Sequence, residues 1–387
     1  MPIVSLEQLK QDAVAGRISG ISIDTSIYEQ YQFGLESGVL AQMEQFARLD
    51  IAHLMVDTIL DEVEHHLKDK AELHKAHLKN SLKPLGNYWG TPKETRDEVM
   101  HCLFGDQDTD KRVKARVANF VELSAATILK CAEHADIETL VSFYFEAKAP
   151  FSTKQSKKHE FPDALTLISL QNWAAQKKTH VIVISKDGDW KKFCENSKFI
   201  YFIDDLPSAL SIFQGGAEEA KLLFTAALKA DGIEDLNKAI ESSINDQADK
   251  IDSDFEATSN WYFEPELSEI SAALLESVSN QLFDFEVLDY QNNQITLKAT
   301  ITVELSVQYI VNFQHWDGID REYLPMGSAT LDTTEPADVE VIITALFDNG
   351  TVSIENVELI PHRIALDFGD IEPDWMGQYD DREYEID

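Results

Sequence analysis

Cysteine is nearly absent from this chain. Among its 387 residues only Cys102, Cys131 and Cys194 occur, too few and too scattered for a disulfide framework or a Cys-ligated zinc site. No apolar run approaches the roughly 20 residues that a membrane-spanning helix needs. The opening Met1-Pro2-Ile3-Val4-Ser5-Leu6-Glu7 lacks the basic and apolar regions of a secretion signal. These absences predict a cytoplasmic protein with reduced thiols and no membrane partner. Basic residues are scarce as well: 33 Lys+Arg stand against 69 Asp+Glu, a net charge of −36. The imbalance is uneven, with 25 basic and 33 acidic residues over 1–220 but 8 and 36 over 221–387. The second part would repel phosphates, so a nucleic-acid surface is expected only in the first.

What is present is enough for a core: 44% of residues are hydrophobic and 10% aromatic. At the usual ~100–200 residues per domain, the length implies two or three domains. Through about residue 216, strand-like runs alternate with helical patterns. Gly20-Ile21-Ser22-Ile23 is a short strand ending on Asp24. Residues 51–56 form a second, followed by a helix that Asp57 or Thr58 can cap and whose Ile59, Leu60, Val63 and Leu67 make one apolar stripe. Residues 81–110 hold Pro84, Gly86, Gly90, Pro92 and Gly105 and read as an irregular insertion, with helical patterns over about 111–147. A polar, basic stretch over 150–162 leads into Phe161-Pro162-Asp163, where Pro162 suits a helix's first turn. Val181-Ile182-Val183-Ile184 is wholly apolar, as a parallel strand covered on both faces requires. Strands separated by helices predict an α/β fold with a parallel sheet.

The pattern changes near residue 217. Helical stretches over 217–245 precede an acidic linker around 246–256 and a helix near 266–282. Then period-2 alternation sets in, with Ile295, Leu297, Ala299, Ile301, Val303 and Leu305 on one face. Val339, Val341, Ile343, Ala345 and Phe347 repeat it before the turn Asp348-Asn349-Gly350. An antiparallel sheet backed by the preceding helix is expected. The tail from Asp370 is acidic, and the sequence shows no internal repeat.

Asp24, Asp163, Asp187 and Asp189 stand out because each lies at a strand's carboxyl end or a helix's start. In open α/β sheets ligands bind beyond the carboxyl ends of strands, so such groups can converge. Glu62, off the apolar stripe of its helix, is a further candidate. Crowded carboxylates repel one another unless a cation neutralises them. Hard divalent cations bind through such oxygens and can activate water for attack on a phosphodiester. Plainer readings exist: helix caps for Asp24 and Asp163, turn formers for Asp187 and Asp189, a solvated Glu62. His65, His66, His74 and His77 have spacings able to hold a softer metal, although a solvated helical face accounts for them. Lys154, Lys157, Lys158, Lys186, Lys191 and Lys192 are either a phosphate-binding rim or solvated loop lysines. Trp173 and Trp190 read as core.

Ile21-Ser22-Ile23-Asp24-Thr25-Ser26, Thr58-Ile59-Leu60-Asp61-Glu62-Val63, Glu160-Phe161-Pro162-Asp163-Ala164 and Ile184-Ser185-Lys186-Asp187-Gly188-Asp189-Trp190 together resemble the motifs of PIN-domain nucleases, in that family's order. The resemblance covers roughly residues 18–215 and is greatest to large prokaryotic PIN-like proteins with an extra C-terminal region. It implies a small parallel sheet flanked by helices and an Mg²⁺- or Mn²⁺-dependent endoribonuclease site. Asp24, Glu62 and Asp163 match the first three acids, and Asp187 the fourth, with Asp189 as its near alternative. Thr25 and Ser26 match the small hydroxyl residues after the first acid and, with Lys157, Lys158 and Lys186, would contact substrate. The segment between Glu62 and Asp163 is longer than in compact PIN toxins. The expected layout is therefore a PIN-like domain over 1–216 with a helical insertion around 81–147, a helical linker over 217–256, an acidic α+β domain over 257–369 and a flexible acidic tail over 370–387. RNA is the expected substrate, with single-stranded DNA or a catalytically inactive acidic binding protein as alternatives. A homo-oligomer or a regulatory protein partner is compatible with this layout, and toxin or phage-defence use rests on resemblance alone.

Overall fold

The structure, a computed structural model, describes residues 5–105, 108–151, 160–215, 217–275, 285–317, 322–348 and 351–376. The chain divides into two compact units, Met1–Gly215 and Gly216–Asp387. Unit 1 runs α1 (Leu6–Val14), β1 (Ile18–Ile23), α2 (Thr25–Gln30), α3 (Gly38–Ala41), β2 (Ala52–Val56), α4 (Asp57–Ser81), α5 (Leu85–Tyr88), α6 (Lys93–Phe104) and α7 (Thr109–Leu123). It continues with β3 (Thr127–Leu129), α8 (Cys131–His134), α9 (Ile137–Glu146), α10 (Phe161–Lys177), β4 (His180–Ile184), α11 (Gly188–Asn196), β5 (Ile200–Ile203) and α12 (Leu206–Ser211).

The five strands form one parallel sheet in the order β3-β2-β1-β4-β5. Its central strands are covered on both faces, which is why Ile21, Ile23 and all of Val181 to Ile184 are at most 2% exposed. Glycine at position 20 lets α10 press onto β1, since a Cβ there would stand 3.0 Å from Leu54 Cδ1, 3.1 Å from Val181 Cγ2 and 3.2 Å from Trp173 Cζ3. From β1 the chain winds outward to β2 and β3, and then returns to add β4 and β5 on the other side. The crevice between the carboxyl ends of β1 and β4 is therefore the topological switch point.

Helix α4 buries Ile59, Val63 and Leu67 against the sheet, a four-residue spacing that keeps them on one face. Beyond Leu67 none of its residues is buried, so its second half runs past the core. The segment expected as a purely helical insertion also contains β3, an edge strand that pairs Leu54 with Thr127 and Val56 with Leu129. Three residues are too short for a period-2 pattern to register.

Unit 2 comprises α13 (Ala217–Ala227), a π-helical turn over Leu228–Gly232, α14 (Ile233–Gln247), β6 (Ile251–Thr258), β7 (Tyr262–Leu274), β8 (Glu286–Gln291), β9 (Gln294–Asp317), β10 (Glu322–Asp348), β11 (Thr351–Leu359) and β12 (His362–Asp370). An antiparallel sheet runs β11-β10-β9-β7, with β8 also paired to β9, while β12 and β6 form a separate parallel pair. The alternation along β9 is realised: Ile295, Leu297, Ala299, Ile301, Val303 and Leu305 are all at most 1% exposed.

Three expectations fail here. Residues 370–376 of the expected flexible tail are held in place, with Ile371 in the core and the Trp375 indole N–H donating to the Met326 carbonyl at 2.6 Å. Residues 262–274 are strand β7 and not the start of a helix. Leu267, Ile270 and Leu274 imitate helical spacing, but the long β9 offers a ladder from Tyr262 opposite Gln314 to Leu274 opposite Val303, with one register shift between Leu267 and Glu269, and tertiary pairing overrides the local pattern. The rest of the expected helix lies outside the described residues, apart from Leu275. Nor are residues 217–256 a linker: Phe224, Leu236, Ile240 and Ile244 share one core with Leu297, Val341 and Val357, and residues 251–258 are strand β6. The helices backing the sheet are α13 and α14.

Candidate functional site

Four carboxylates converge from four elements at the carboxyl edge of the first unit's sheet. Asp24 follows β1, and its N–H donates to the Ile184 carbonyl at 2.9 Å, locking it beside the end of β4. It occupies the N-cap position of α2, yet its side chain makes no capping hydrogen bond. Its Oδ2 instead accepts from the hydroxyls of Ser185, at 2.6 Å, and Ser26. Glu62, one turn into α4, accepts from the Thr25 hydroxyl at 2.8 Å. Asp163 sits in the first turn of α10 and accepts from the Trp190 indole N–H at 2.9 Å. Asp187 caps α11, accepting the Asp189 N–H at 2.6 Å.

The electrostatics show that these groups share one field. Burial raises the Asp24 carboxyl above the usual range, with Asp187 adding to the rise and the Ser185 and Ser26 hydroxyls opposing it. Burial also raises Glu62, with Asp24 contributing and Thr25 opposing. Asp163 is pushed up to about 7, first by burial and then by Asp24, Glu62 and Asp187 together, against the Trp190 hydrogen bond. Like charges drawn together in a half-dry crevice hold protons until a cation compensates them.

Asp189 is placed differently. Its Oδ1 accepts from Lys192 Nζ at 2.7 Å, and it is absent from the charges that act on Asp24 and Asp163. Of the two acids that spacing left open, Asp187 is the one whose charge acts on Asp24 and Asp163. Thr25 and Ser26, expected as substrate contacts, have their hydroxyls turned onto Glu62 and Asp24. Ser26 Oγ also accepts the Lys186 N–H at 3.1 Å, tying the loop after β4 to the first motif. The Lys186 side chain is exposed. Lys154, Lys157 and Lys158 lie outside the described residues.

Two supporting residues were not singled out from the sequence. Ser185, fully buried at the end of β4, bridges the site by donating to Asp24 and accepting the Asp187 N–H at 2.9 Å. Trp190, 1% exposed, is core as expected, but its indole N–H also anchors Asp163. The only available hint was their place inside the last motif. Two histidines of α4 meet carboxylates, His65 with Asp69 of its own helix at 3.4 Å and His66 with Glu29 of α2 at 2.7 Å.

The donor set is all oxygen, with no His or Cys among the four, which suits a hard divalent cation. As the side chains stand, no group of three or more His, Cys, Asp or Glu among the described residues encloses an ion-sized site. Each carboxylate accepts from a hydroxyl, amide or indole donor.

No curated protein matches the chain, and no solved structure matches it. A family model described as PIN domain matches residues 21–190, a span that begins inside β1 and ends at the tryptophan holding Asp163. The motif order, the parallel sheet and the family match coincide in one region, so residues 21–190 of the first unit are similar to the PIN-domain family, whose fold is of the nuclease type.

Proposed function

We propose that the first unit is a metal-dependent endoribonuclease in which Asp24, Glu62, Asp163 and Asp187 hold Mg²⁺ or Mn²⁺. The observation that carries this reading is the meeting of the four carboxylates at the switch point, where burial first and then the charges of Asp24, Glu62 and Asp187 push Asp163 up to about 7. When bound, the cation supplies charge neutralisation at the scissile phosphate and a more acidic water. The protein's own residues provide orientation. Ser185 and Ser26 fix one oxygen of Asp24, Thr25 turns Glu62 inward, and Trp190 fixes Asp163. Thr25 and Ser26 are thus positioning residues. Lys186, next to Asp187 in the chain, is exposed and free to meet a phosphate.

The test is incubation of the purified protein with labelled RNA and single-stranded DNA in Mn²⁺ or EDTA. Cleavage of RNA in Mn²⁺, abolished by EDTA and by Asp24→Asn or Asp163→Asn in a folded protein, is the expected result. Cleavage that survives Asp24→Asn defeats the assignment, and cleavage of DNA alone changes the substrate class.

A further inference from the structure

Residues 73–93, from the last turns of α4 through α5 to the first residue of α6, contain Lys75, Lys79, Lys83, Lys93, His74 and His77 and no carboxylate. In a chain with 69 acids among 387 residues, this is a local reversal of sign. At the tip of the segment Tyr88 and Trp89 are 84% and 82% exposed, the most exposed aromatic side chains among the described residues. The turn that displays them is braced. Arg96 of α6 donates from Nη1 to the Lys83 carbonyl at 3.0 Å. Gly86 lies so close over that guanidinium that an added Cβ would stand 3.3 Å from Arg96 Cζ. The Trp89 and Thr91 N–H groups both return to the Leu85 carbonyl, at 3.0 and 3.2 Å.

A flat aromatic face stacks on any base, and lysines neutralise backbone phosphates. That pairing is how single strands are bound without regard to sequence. Helix α4 links this segment to the carboxylates. Nineteen residues separate Glu62 from Ser81 at the helix's end, which at 1.5 Å per residue is about 28 Å. A stacked strand rising about 3.4 Å per nucleotide covers that distance in about eight nucleotides.

We propose that residues 73–93 are an arm that binds single-stranded nucleic acid, with Tyr88 and Trp89 as base-stacking platforms and the exposed Lys79, Lys83 and Lys93 on phosphates. Delivery of the held strand to the carboxylates rests on the nuclease reading; binding by the arm does not. The test uses the full-length chain carrying Asp24→Asn, with and without Tyr88→Ala and Trp89→Ala, and fluorescein-labelled 20-nucleotide RNA and DNA read by anisotropy. Loss of the platforms is expected to weaken binding at least about fivefold, on both strands or on the one the arm accepts. With Asp24 intact, the double variant should cut a 20-mer more slowly and a 4-mer, too short to reach the arm, at the unchanged rate. Unchanged affinity for both strands overturns the proposal, as does an equal loss of cleavage on the 4-mer. Unchanged affinity with loss of self-association in sedimentation reassigns the aromatic pair to a protein contact and also overturns it. A wild-type protein that cuts neither oligomer in Mn²⁺ defeats the nuclease reading and leaves anisotropy alone to decide the arm.

Discussion

Asp163 concentrates the chemistry of the site in a single group. Folding raises its carboxyl from 3.8 to about 7, so between those values the folded protein binds a proton that the unfolded chain does not. Stability is then greatest below the unfolded value and declines as pH rises through 7. In EDTA, urea denaturation should show the wild type losing on the order of 3 kcal/mol between pH 4 and pH 8 relative to Asp163→Asn. Parallel pH profiles for the two proteins would refute the raised Asp163 carboxyl. The anchors can be tested singly. Ser185→Ala removes a donor from Asp24, and activity in Mn²⁺ should fall about 10–100-fold, as for other groups that orient metal ligands. Its melting temperature should stay close to wild type, and unchanged kinetics would show that Asp24 is oriented by other means. Trp190→Phe keeps most of the buried ring but deletes the N–H to Asp163, so the acidic limb of the pH–rate profile should move upward. An unshifted limb would make the tryptophan a packing residue alone. The acids at 24, 163 and 187 were legible in the sequence because each stands next to an apolar strand or a helix start. Of their donors, Ser26 was legible beside the first acid, but the anchoring roles of Ser185 and Trp190 were not, since serine and tryptophan carry no positional pattern that separates an anchor from a neighbour.

At the scale of elements, the two central strands and α10 decide where the acids stand. Gly20→Ala should place a methyl against Leu54, Val181 and Trp173 at 3.0–3.2 Å and cost about 1–3 kcal/mol as overpacking. Because Trp173 and Asp163 share α10, a shift of that helix should reduce cleavage as well, and urea denaturation beside activity assays would separate the two effects. Wild-type stability in Gly20→Ala would mean that α10 does not bear on β1 as closely as its geometry requires. Elements whose burial is periodic were readable from composition: β4 as an unbroken apolar run and β9 as strict alternation. Strand β7 was not. Only Ala272 among its residues is fully buried, so its identity comes from hydrogen bonds to β9 and not from its own face. Strand β10 shows the same dependence: it contains Pro325 and Pro336, which argue against a strand locally, yet it stays paired along β9 with a register shift between Pro325 and Gly327.

At the scale of the whole molecule, charge divides as the fold does. Residues 221–387 carry 36 acids against 8 bases, a field that opposes any polyanion approaching the chain within about a Debye length. Deleting residues 216–387 should therefore raise non-specific RNA affinity at low salt, with the difference shrinking toward 1 M salt. A filter-binding salt series would show this, and an affinity gap unaffected by salt would indicate a non-electrostatic role for the second unit. The sequence alone determined the charge division, the alternation of strand and helix in the first unit, and the acids lying at strand ends, because each is a property of local order and composition. Only tertiary structure decided that Asp187 and not Asp189 joins the others, that Thr25 and Ser26 turn inward, and that residues 217–256 belong to a core. Those outcomes depend on which distant partner a group meets, and parallel strands bring together residues more than a hundred positions apart.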